Sequence, residues 1–301
     1  MAVFSNTYQT YSAAGIREDL IDVITNIDPV DTFCLNNFGT AKAKNTYHEW
    51  QTDALAAAAA NAYIEGDEAT AAALTKTTRT GNTCQILRKV FVISDTLEAV
   101  DKAGRNSEVA YQTQKTLKEL ARDIEYALVV NSASATGASG TARQMKGLVG
   151  WISDNASSAS ATTVDITESA LNDNLALIWA DGGKPSTILC GAYQKRKISA
   201  FTTNTREISA ETKKLVSAVD IYKSDFGTLN IKLHHQLNTS LPGYIVILGE
   251  MDLWKKAWLR PIKREELART GAAKKFMVEA ELTLESRQEK GSGMLYGYKP
   301  A

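Results

Sequence analysis

The sequence of 301 residues predicts an α+β fold, and three of its features support that prediction. A single long amphipathic helix spans residues 104–131, a polar pair of strands lies within 42–90, and a strand with a strict two-residue period spans 275–286. At 1.5 Å per residue the helix would be about 35–40 Å long, whereas helices usually have about 11–12 residues. A helix of this length that occurs once serves as a spine for the chain.

The spine helix is predicted from the spacing of its apolar residues. These fall on one face and are Val109, Leu117, Leu120, Ala121, Ile124, Ala127 and Leu128. The opposite, solvated face is assigned the charged residues Lys115, Lys118, Glu119, Arg122, Asp123 and Glu125. Asn106 is the expected N-cap, and Glu108 lies in the first turn, where the helix dipole favours a negative charge.

Before the spine the chain is polar and extended. Residues 1–41 are interpreted as an arm with a short helix over 16–27, which Asp28-Pro29 ends. Polar strands at 44–53 and 81–90 flank an alanine-rich tip at 54–73, and this region has too few apolar residues to form its own core. Such segments need another surface to lie on.

After the spine, alternating signals predict a central α/β section and a final strand. In order, we expect a strand at 147–152, a helix at 168–180, a strand at 186–190, a basic-faced helix at 192–201, a hairpin at 216–237 turning at 224–227, a strand at 244–248 and a short helix at 251–258. Segments 131–141 and 156–163 are small-residue loops. In the strand at 275–286, Phe276 to Leu284 alternate with an acidic, solvated side.

A search for chemistry finds no catalytic, cofactor-binding or metal-binding residues. His234 and His235 are adjacent on a strand, point to opposite faces and therefore do not chelate one metal, and His234 is placed on the polar face beside Lys232. His48 lies in the polar hairpin, next to Glu49. The triplet Asp225-Phe226-Gly227 lacks every other kinase motif and is explained as a hairpin turn. A phosphate-binding loop and a nucleophile elbow are also absent from the sequence.

Composition narrows the class of protein further. Lys and Arg together number 34, equal to Asp and Glu, so the formal net charge is zero. Nucleic-acid binders usually carry a basic excess, so we expect only weak, non-specific contact with DNA. Residues 195–197 are one basic segment of the chain.

The three cysteines, Cys34, Cys84 and Cys190, are widely spaced and are expected to be reduced and buried. We predict neither a signal peptide nor a membrane-spanning segment.

Specific residues add a resemblance to a known family. They are Asn82-Thr83-Cys84-Gln85-Ile86, Val92-Ile93-Ser94, Gly104-Arg105, Glu108, Tyr111, Glu119-Leu120, Arg122-Asp123-Ile124-Glu125, Arg143 and Gly147-Leu148. With the polar hairpin and spine, they make the chain resemble major capsid proteins of tailed bacteriophages, which have the Hong Kong 97-type (HK97-like) fold. The resemblance is specific over about residues 40–150.

The resemblance implies a division into domains. Residues 1–41 would be the N-terminal arm, 42–92 the extended loop, 93–151 and 259–301 the peripheral domain with the spine helix, and 152–258 the axial domain.

The resemblance also implies a shell of pentamers and hexamers enclosing phage DNA, with scaffolding, portal and decoration proteins as further partners. The protein would be part of the virion capsid and assemble in the host cytoplasm. The alternatives are an encapsulin-type bacterial compartment, an α/β enzyme built on the central section, and a phage tail or decoration protein. The lack of a catalytic constellation disfavours the enzyme, and the spine helix disfavours a small accessory module.

Overall fold

The computed structural model describes residues 32–68, 71, 73–101, 106–201 and 220–300. The predicted helix at 16–27 lies outside them. The helices are α1 (Phe33–Asn37), α2 (Asp95–Ala99), α3 (Glu108–Val130), α4 (Leu148–Trp151), α5 (Glu168–Ala180), α6 (Ala192–Phe201) and α7 (His235–Thr239). The strands are β1 (Gly39–Lys42), β2 (Tyr47–Thr52), β3 (Thr78–Thr83), β4 (Gln85–Ser94), β5 (Ala156–Ser158), β6 (Thr187–Cys190), β7 (Ile221–Ser224), β8 (Gly227–Leu233), β9 (Ile245–Leu248), β10 (Trp254–Leu267), β11 (Ala273–Ser286) and β12 (Gly293–Tyr296).

The spine helix α3 packs against a four-stranded sheet of order β1-β10-β11-β4. Its buried face includes Leu120, Ile124 and Leu128, which share a core with Leu87 and with the inward residues of β11. The predicted spine is therefore present, but its N-cap and one of its apolar residues differ from the prediction. Ser107, rather than Asn106, caps it by accepting a hydrogen bond from the Ala110 amide, and Leu117 is 37% exposed.

A six-stranded sheet of order β5-β12-β9-β6-β8-β7 forms the second layer. All residues of β6 and β9 are buried, because one face packs towards the spine and the other packs under α5 and α6. Such two-sided burial explains their continuous apolar sequences. Strand β12 pairs with β5 and β9, so the end of the chain joins this sheet.

Leu148–Trp151 form the short helix α4, so the strand predicted at 147–152 is wrong. Gly147 touches the C-terminal end of the spine, because a Cβ there would lie 2.7 Å from the Ala127 carbonyl oxygen, and Gly150 touches the backbone of Ser132 just beyond that end. The Gly147 amide donates to the Asn131 carbonyl oxygen at 2.8 Å, and the Ile152 amide donates to Leu148. A short apolar run is compatible with a buried strand or a buried helix, and here the close approach to the spine determines the helix.

The helix predicted at 251–258 is also wrong. Only Met251–Leu253 form a single 3₁₀ turn, and Trp254 begins the long strand β10. Pairing with both β1 and β11 supplies the backbone hydrogen bonds that favour a strand over local helix formation.

The loop predicted at 156–163 is also partly wrong, because its first residues form strand β5, which pairs with β12.

Two apolar assignments in the six-stranded sheet and its helices also differ. In β7 the alternation of Val219 and Ile221 with polar residues predicts that these two share the apolar face of the strand, but the buried residue is Tyr222 and Ile221 is 55% exposed. Val219 lies outside the described residues. In α5 the helical spacing of four apolar residues predicts that all of them face the core. Leu171, Leu175 and Ile178 are buried, but Trp179 is 62% exposed. The turn at 224–227 does join β7 and β8 as expected.

Candidate assembly surfaces

The polar hairpin projects as an exposed segment. Strands β2 and β3 pair only with each other, in the register Tyr47 to Thr83 through Thr52 to Thr78. Between them the described residues are all exposed and have no helix or strand. Large apolar side chains there face solvent: Leu55 is 99% exposed, Tyr63 76%, Ile64 84% and Leu74 96%. Such exposure contributes nothing to the stability of a single chain and is typical of an interaction surface.

The base of the hairpin is anchored firmly to the body. The Asn82 side-chain amide donates to the carbonyl oxygens of Leu284 at 2.8 Å and Lys146 at 2.9 Å, and its oxygen accepts from the Lys146 amide. The Trp50 and Trp151 rings lie 5.5 Å apart between centroids. Rigid anchoring at the base fixes the direction in which the loop projects.

Carboxylates of β11 complete this anchor. Glu285 accepts hydrogen bonds from His48 Nε2 at 3.1 Å and from Arg287 Nε at 2.8 Å. Burial alone would raise the pKa of Glu285, but the hydrogen bonds from Arg287 and then His48 outweigh burial and lower that pKa. Glu281 is paired with Arg143 at 2.6 Å and with Arg260 at 2.8 Å.

The predicted solvated side of 275–286 is therefore wrong for its second half. Glu281, Thr283 and Glu285 are buried there, because the hairpin covers them and cations neutralise both carboxylates.

A second buried polar cluster holds helix α1 against the spine. The Glu125 carboxylate accepts hydrogen bonds from the backbone amides of Cys34 at 2.7 Å and Leu35 at 2.8 Å. His234 Nε2 lies 2.8 Å from Glu125 Oε1. The placement of Glu125 on the solvated face, and of His234 beside Lys232, is therefore wrong, since both are 1% exposed. The sequence gives no local signal for this contact, because its partners come from three distant segments.

Lys256 completes the fixation of α1 at its other end. Its ammonium group donates to the carbonyl oxygens of Leu35 at 2.6 Å and Phe38 at 2.9 Å. Burial lowers the pKa of Lys256, and the nearby Glu125 partly offsets that effect by raising it. A carboxylate at the N-terminus and an ammonium at the C-terminus both complement the helix dipole.

Cys34, Glu125 and His234 are also close enough to be considered as metal ligands, with ligand atoms within 4.8 Å of one another. The 2.8 Å contact between His234 and Glu125 is a hydrogen bond, and the Glu125 oxygens also accept two backbone amides. Hydrogen bonding therefore accounts for the geometry of this cluster as it stands.

The other residues considered from the sequence have structural roles. All three cysteines are buried and outside disulfides, as predicted. Burial raises the pKa of the Cys84 thiol to about 11 and that of Cys190 to about 12. In the basic segment 195–197, Lys195 pairs with Asp220 at 2.6 Å and Lys197 with Asp165 at 2.7 Å.

No helix in the described ranges combines the length and apolar character needed to cross a bilayer.

The comparison that decides the family covers nearly the whole chain. Residues 3–299 match the family model of the SU10 major capsid protein. The chain belongs to the SU10 major capsid protein family. A major capsid protein of Escherichia phage Phieco32 is 26% identical over 341 aligned positions, which cover 96% of this chain and 96% of that protein. The predicted resemblance to phage major capsid proteins is thereby confirmed.

Solved structures confirm the fold of this SU10-family chain. The capsid of Cyanophage A-1(L) superposes with a TM-score of 0.65 at 11% identity, covering 96% of this chain and 98% of that one. The SrpI encapsulin of Synechococcus elongatus PCC 7942 superposes with a TM-score of 0.58 at 10% identity, covering 95% and 94%. The predicted α+β, Hong Kong 97-type fold is correct.

Proposed function

We propose that this SU10-family chain builds the icosahedral shell of a bacteriophage by associating with itself as pentamers and hexamers. The observation that carries the proposal is the hairpin loop, whose apolar residues Leu55, Ile64 and Leu74 are each more than four-fifths exposed. Its base is held rigidly while its tip contacts nothing else in the described chain. A hairpin loop with a rigid base and an apolar tip is suited to reach over a neighbouring subunit.

The mechanism is geometric rather than chemical. Each single contact would bury on the order of 1,000 Å², which is a modest interface. A subunit that engages several neighbours at once gains stability by multivalency, because each further contact forms within an assembly that already exists. The small side chains of the loop tip suit this use, since the same segment must adapt to five-fold and six-fold surroundings.

The proposed division of the chain follows the two sheets. The spine helix with β11 and most of β10 would form the peripheral domain, and the six-stranded sheet with α5 and α6 the axial domain around the symmetry axes. Residues 1–41 would be the arm and 42–92 the extended loop, and these two segments contribute β1 and most of β4 to the four-stranded sheet. Because β12 pairs in the six-stranded sheet, we assign residues 293–296 to the axial domain.

The finer partners belong to the same proposal. Assembly would take place in the host cytoplasm with scaffolding and portal proteins, and decoration proteins would bind the finished virion. The balance of 34 basic and 34 acidic residues supports only weak contact with packaged DNA. The second candidate is an encapsulin-type compartment, because the chain is similar in structure to the SrpI encapsulin. The enclosed cargo distinguishes such a compartment from a phage capsid.

Electron microscopy of the full chain at high concentration, with and without its scaffolding protein, tests the proposal. Closed shells, or rings of five and six subunits, are expected. Nucleic acid inside shells isolated from infected cells would support the phage capsid, and a protein cargo would support the compartment. A chain that stays monomeric under both conditions would contradict the proposed function.

A further inference from the structure

Three side chains with metal-binding atoms meet between helix α1, the spine helix and the end of β8. They are Cys34, Glu125 and His234, and one ligand atom of each lies within 4.8 Å of the ligand atoms of the other two. All three residues are buried, with at most 1% of each exposed. Sequence patterns predict no metal site here, because Glu125 is separated from Cys34 by 91 positions and from His234 by 109.

Hydrogen bonding fixes the positions of these groups but satisfies only half of the imidazole. His234 Nε2 is bonded to Glu125 Oε1 at 2.8 Å. His234 Nδ1 is buried and has no hydrogen-bond partner among the described residues. Buried polar atoms are rarely left without a partner, and an ion bound beside them is one of the ordinary explanations. The cluster therefore has unused capacity to bind a cation.

The donor atoms of the cluster are those of a zinc site. Zn²⁺ binds thiolate sulfur at about 2.3 Å and imidazole nitrogen or carboxylate oxygen at about 2.0–2.2 Å. Mg²⁺ and Ca²⁺ instead take sets of oxygen ligands, so a set of sulfur, nitrogen and oxygen disfavours them.

The spacing of the ligand atoms is also close to what zinc requires. Around a tetrahedral ion with these bond lengths, ligand atoms lie about 3.3–3.6 Å apart. The contact between His234 Nε2 and Glu125 Oε1 is 2.8 Å, so it would widen by about half an ångström on binding. Separations of up to 4.8 Å would shorten by about 1 Å. Rotation about side-chain bonds supplies adjustments of this size.

The charges of the cluster suit a divalent cation. A thiolate at Cys34 and the carboxylate of Glu125 together neutralise two positive charges, and His234 binds as the neutral ring. The occupied site is therefore neutral and does not repel the nearby Lys256 ammonium, which donates to two carbonyl oxygens of the α1 region. Glu125 can keep its two backbone amides, because a carboxylate has about four lone-pair sites.

We propose that Cys34, Glu125 and His234 form a zinc site that joins α1, the spine and the six-stranded sheet. On binding, the Cys34 thiol becomes a thiolate, so one proton is released to solvent for each ion bound. Coordinate bonds replace the hydrogen bond between His234 and Glu125, and a water molecule takes the fourth position. All three ligands belong to one chain, so the inference is independent of the proposed shell function.

Cobalt spectroscopy of the full chain tests the sulfur ligand. Co²⁺ occupies zinc sites, and a thiolate bound to it gives a near-ultraviolet charge-transfer band that oxygen and nitrogen ligands do not give. A chain with Cys84→Ala and Cys190→Ala keeps Cys34 as its single thiol and should show the band. Cys34→Ser, which is nearly isosteric, should lose it. A band that persists in Cys34→Ser would overturn the inference.

Zinc-dependent stability tests the imidazole ligand. At about a hundredfold excess of zinc over its dissociation constant, the melting temperature of the wild type should rise by about 5 °C. His234→Gln keeps a side-chain amide that can donate to Glu125 but removes the zinc ligand, so it should show no rise. The matched control is His235→Gln at the next, half-buried position, which should respond as the wild type does.

The wild-type chain alone is decisive if a variant fails to fold. About one zinc per purified chain, together with the cobalt band, is the expected result. Absence of both the band and the zinc-dependent shift would overturn the site. An equal shift in His234→Gln and the wild type would place the zinc elsewhere on the chain and overturn it as well. Neither outcome changes the expectation for shells.

Discussion

The Nε2 atom of His234 lies 2.8 Å from the Oε1 atom of Glu125, and both side chains are buried. His234 follows β8 of the six-stranded sheet, whereas Glu125 lies in the spine beneath the four-stranded sheet. The same carboxylate accepts the amides of Cys34 and Leu35. The Glu125 side chain therefore connects the spine, the six-stranded sheet and the start of the described chain.

Replacing Glu125 by Ala should lower the free energy of unfolding by about 3–5 kcal/mol, because two backbone amides and His234 lose a charged, buried acceptor. Chemical denaturation of the two proteins measures the loss. Glu119→Ala, at a half-exposed position of the same helix, is the control and should change stability by less than about 1 kcal/mol. Equal effects at the two positions would contradict the anchoring role.

Leu120→Ala should destabilise the chain by about 2–5 kcal/mol through the cavity it leaves in a fully buried site. The matched control is Leu117→Ala on the same helix, where the side chain is 37% exposed and less surface is lost. Calorimetric or denaturant unfolding compares them. A cost for Leu117→Ala as large as that for Leu120→Ala would mean that the buried face of the spine is assigned wrongly.

Replacing residues 54–73 by a short glycine-containing turn should abolish shells and leave folding intact, because the described residues of this segment are exposed. A cooperative thermal transition close to that of the wild type is the expected result, combined with the loss of particles by electron microscopy. If the shortened chain fails to fold, the hairpin loop supports the core and its assignment to assembly is wrong.

The stability contributed by Glu285 should depend on pH in the acid range. Its pKa in the folded chain is lowered from 4.5, so its contribution is complete above that ordinary value and is lost as the pH falls through the folded pKa. At neutral pH, Glu285→Gln should therefore be less stable than the wild type by about 1.5–3 kcal/mol. The difference should shrink on acidification.

Melting temperatures measured from neutral to acid pH test this dependence. Glu266→Gln, at an exposed position of β10, serves as the control for general acid effects. A difference between Glu285→Gln and wild type that is constant across the acid range would refute the role of the charged form.

The elements with strong internal patterns could be predicted from the sequence. The spine was found because Leu120, Ile124 and Leu128 repeat at helical spacing, and the hairpin because its polar strands flank a tip without core residues. Strand β10 was not predicted, and its start was assigned to a helix, because Trp254 and its charged neighbours lack a two-residue alternation; pairing with β1 and β11 supplies the missing preference. Tertiary pairing often overrides such weak local signals.

The polar anchors could not be predicted for a different reason. Glu125 sits among the charged residues of the spine, and its partner His234 is separated from it by 109 positions along the chain. The acidic residues of β11 likewise look solvated until the hairpin is placed over them. A buried ion pair depends on which distant segments meet, and one sequence without its fold contains no periodicity that reports this.

Helix α1 has only 5 residues, which is far too short to persist alone in water. It holds its shape because Glu125 binds its first amides and Lys256 binds carbonyl oxygens at its end. Those two side chains come from the spine and from β10, so the helix forms only after both have come together. The conformation of α1 is therefore imposed by tertiary contacts from two separate elements, and loss of either Glu125 or Lys256 would release one end of it.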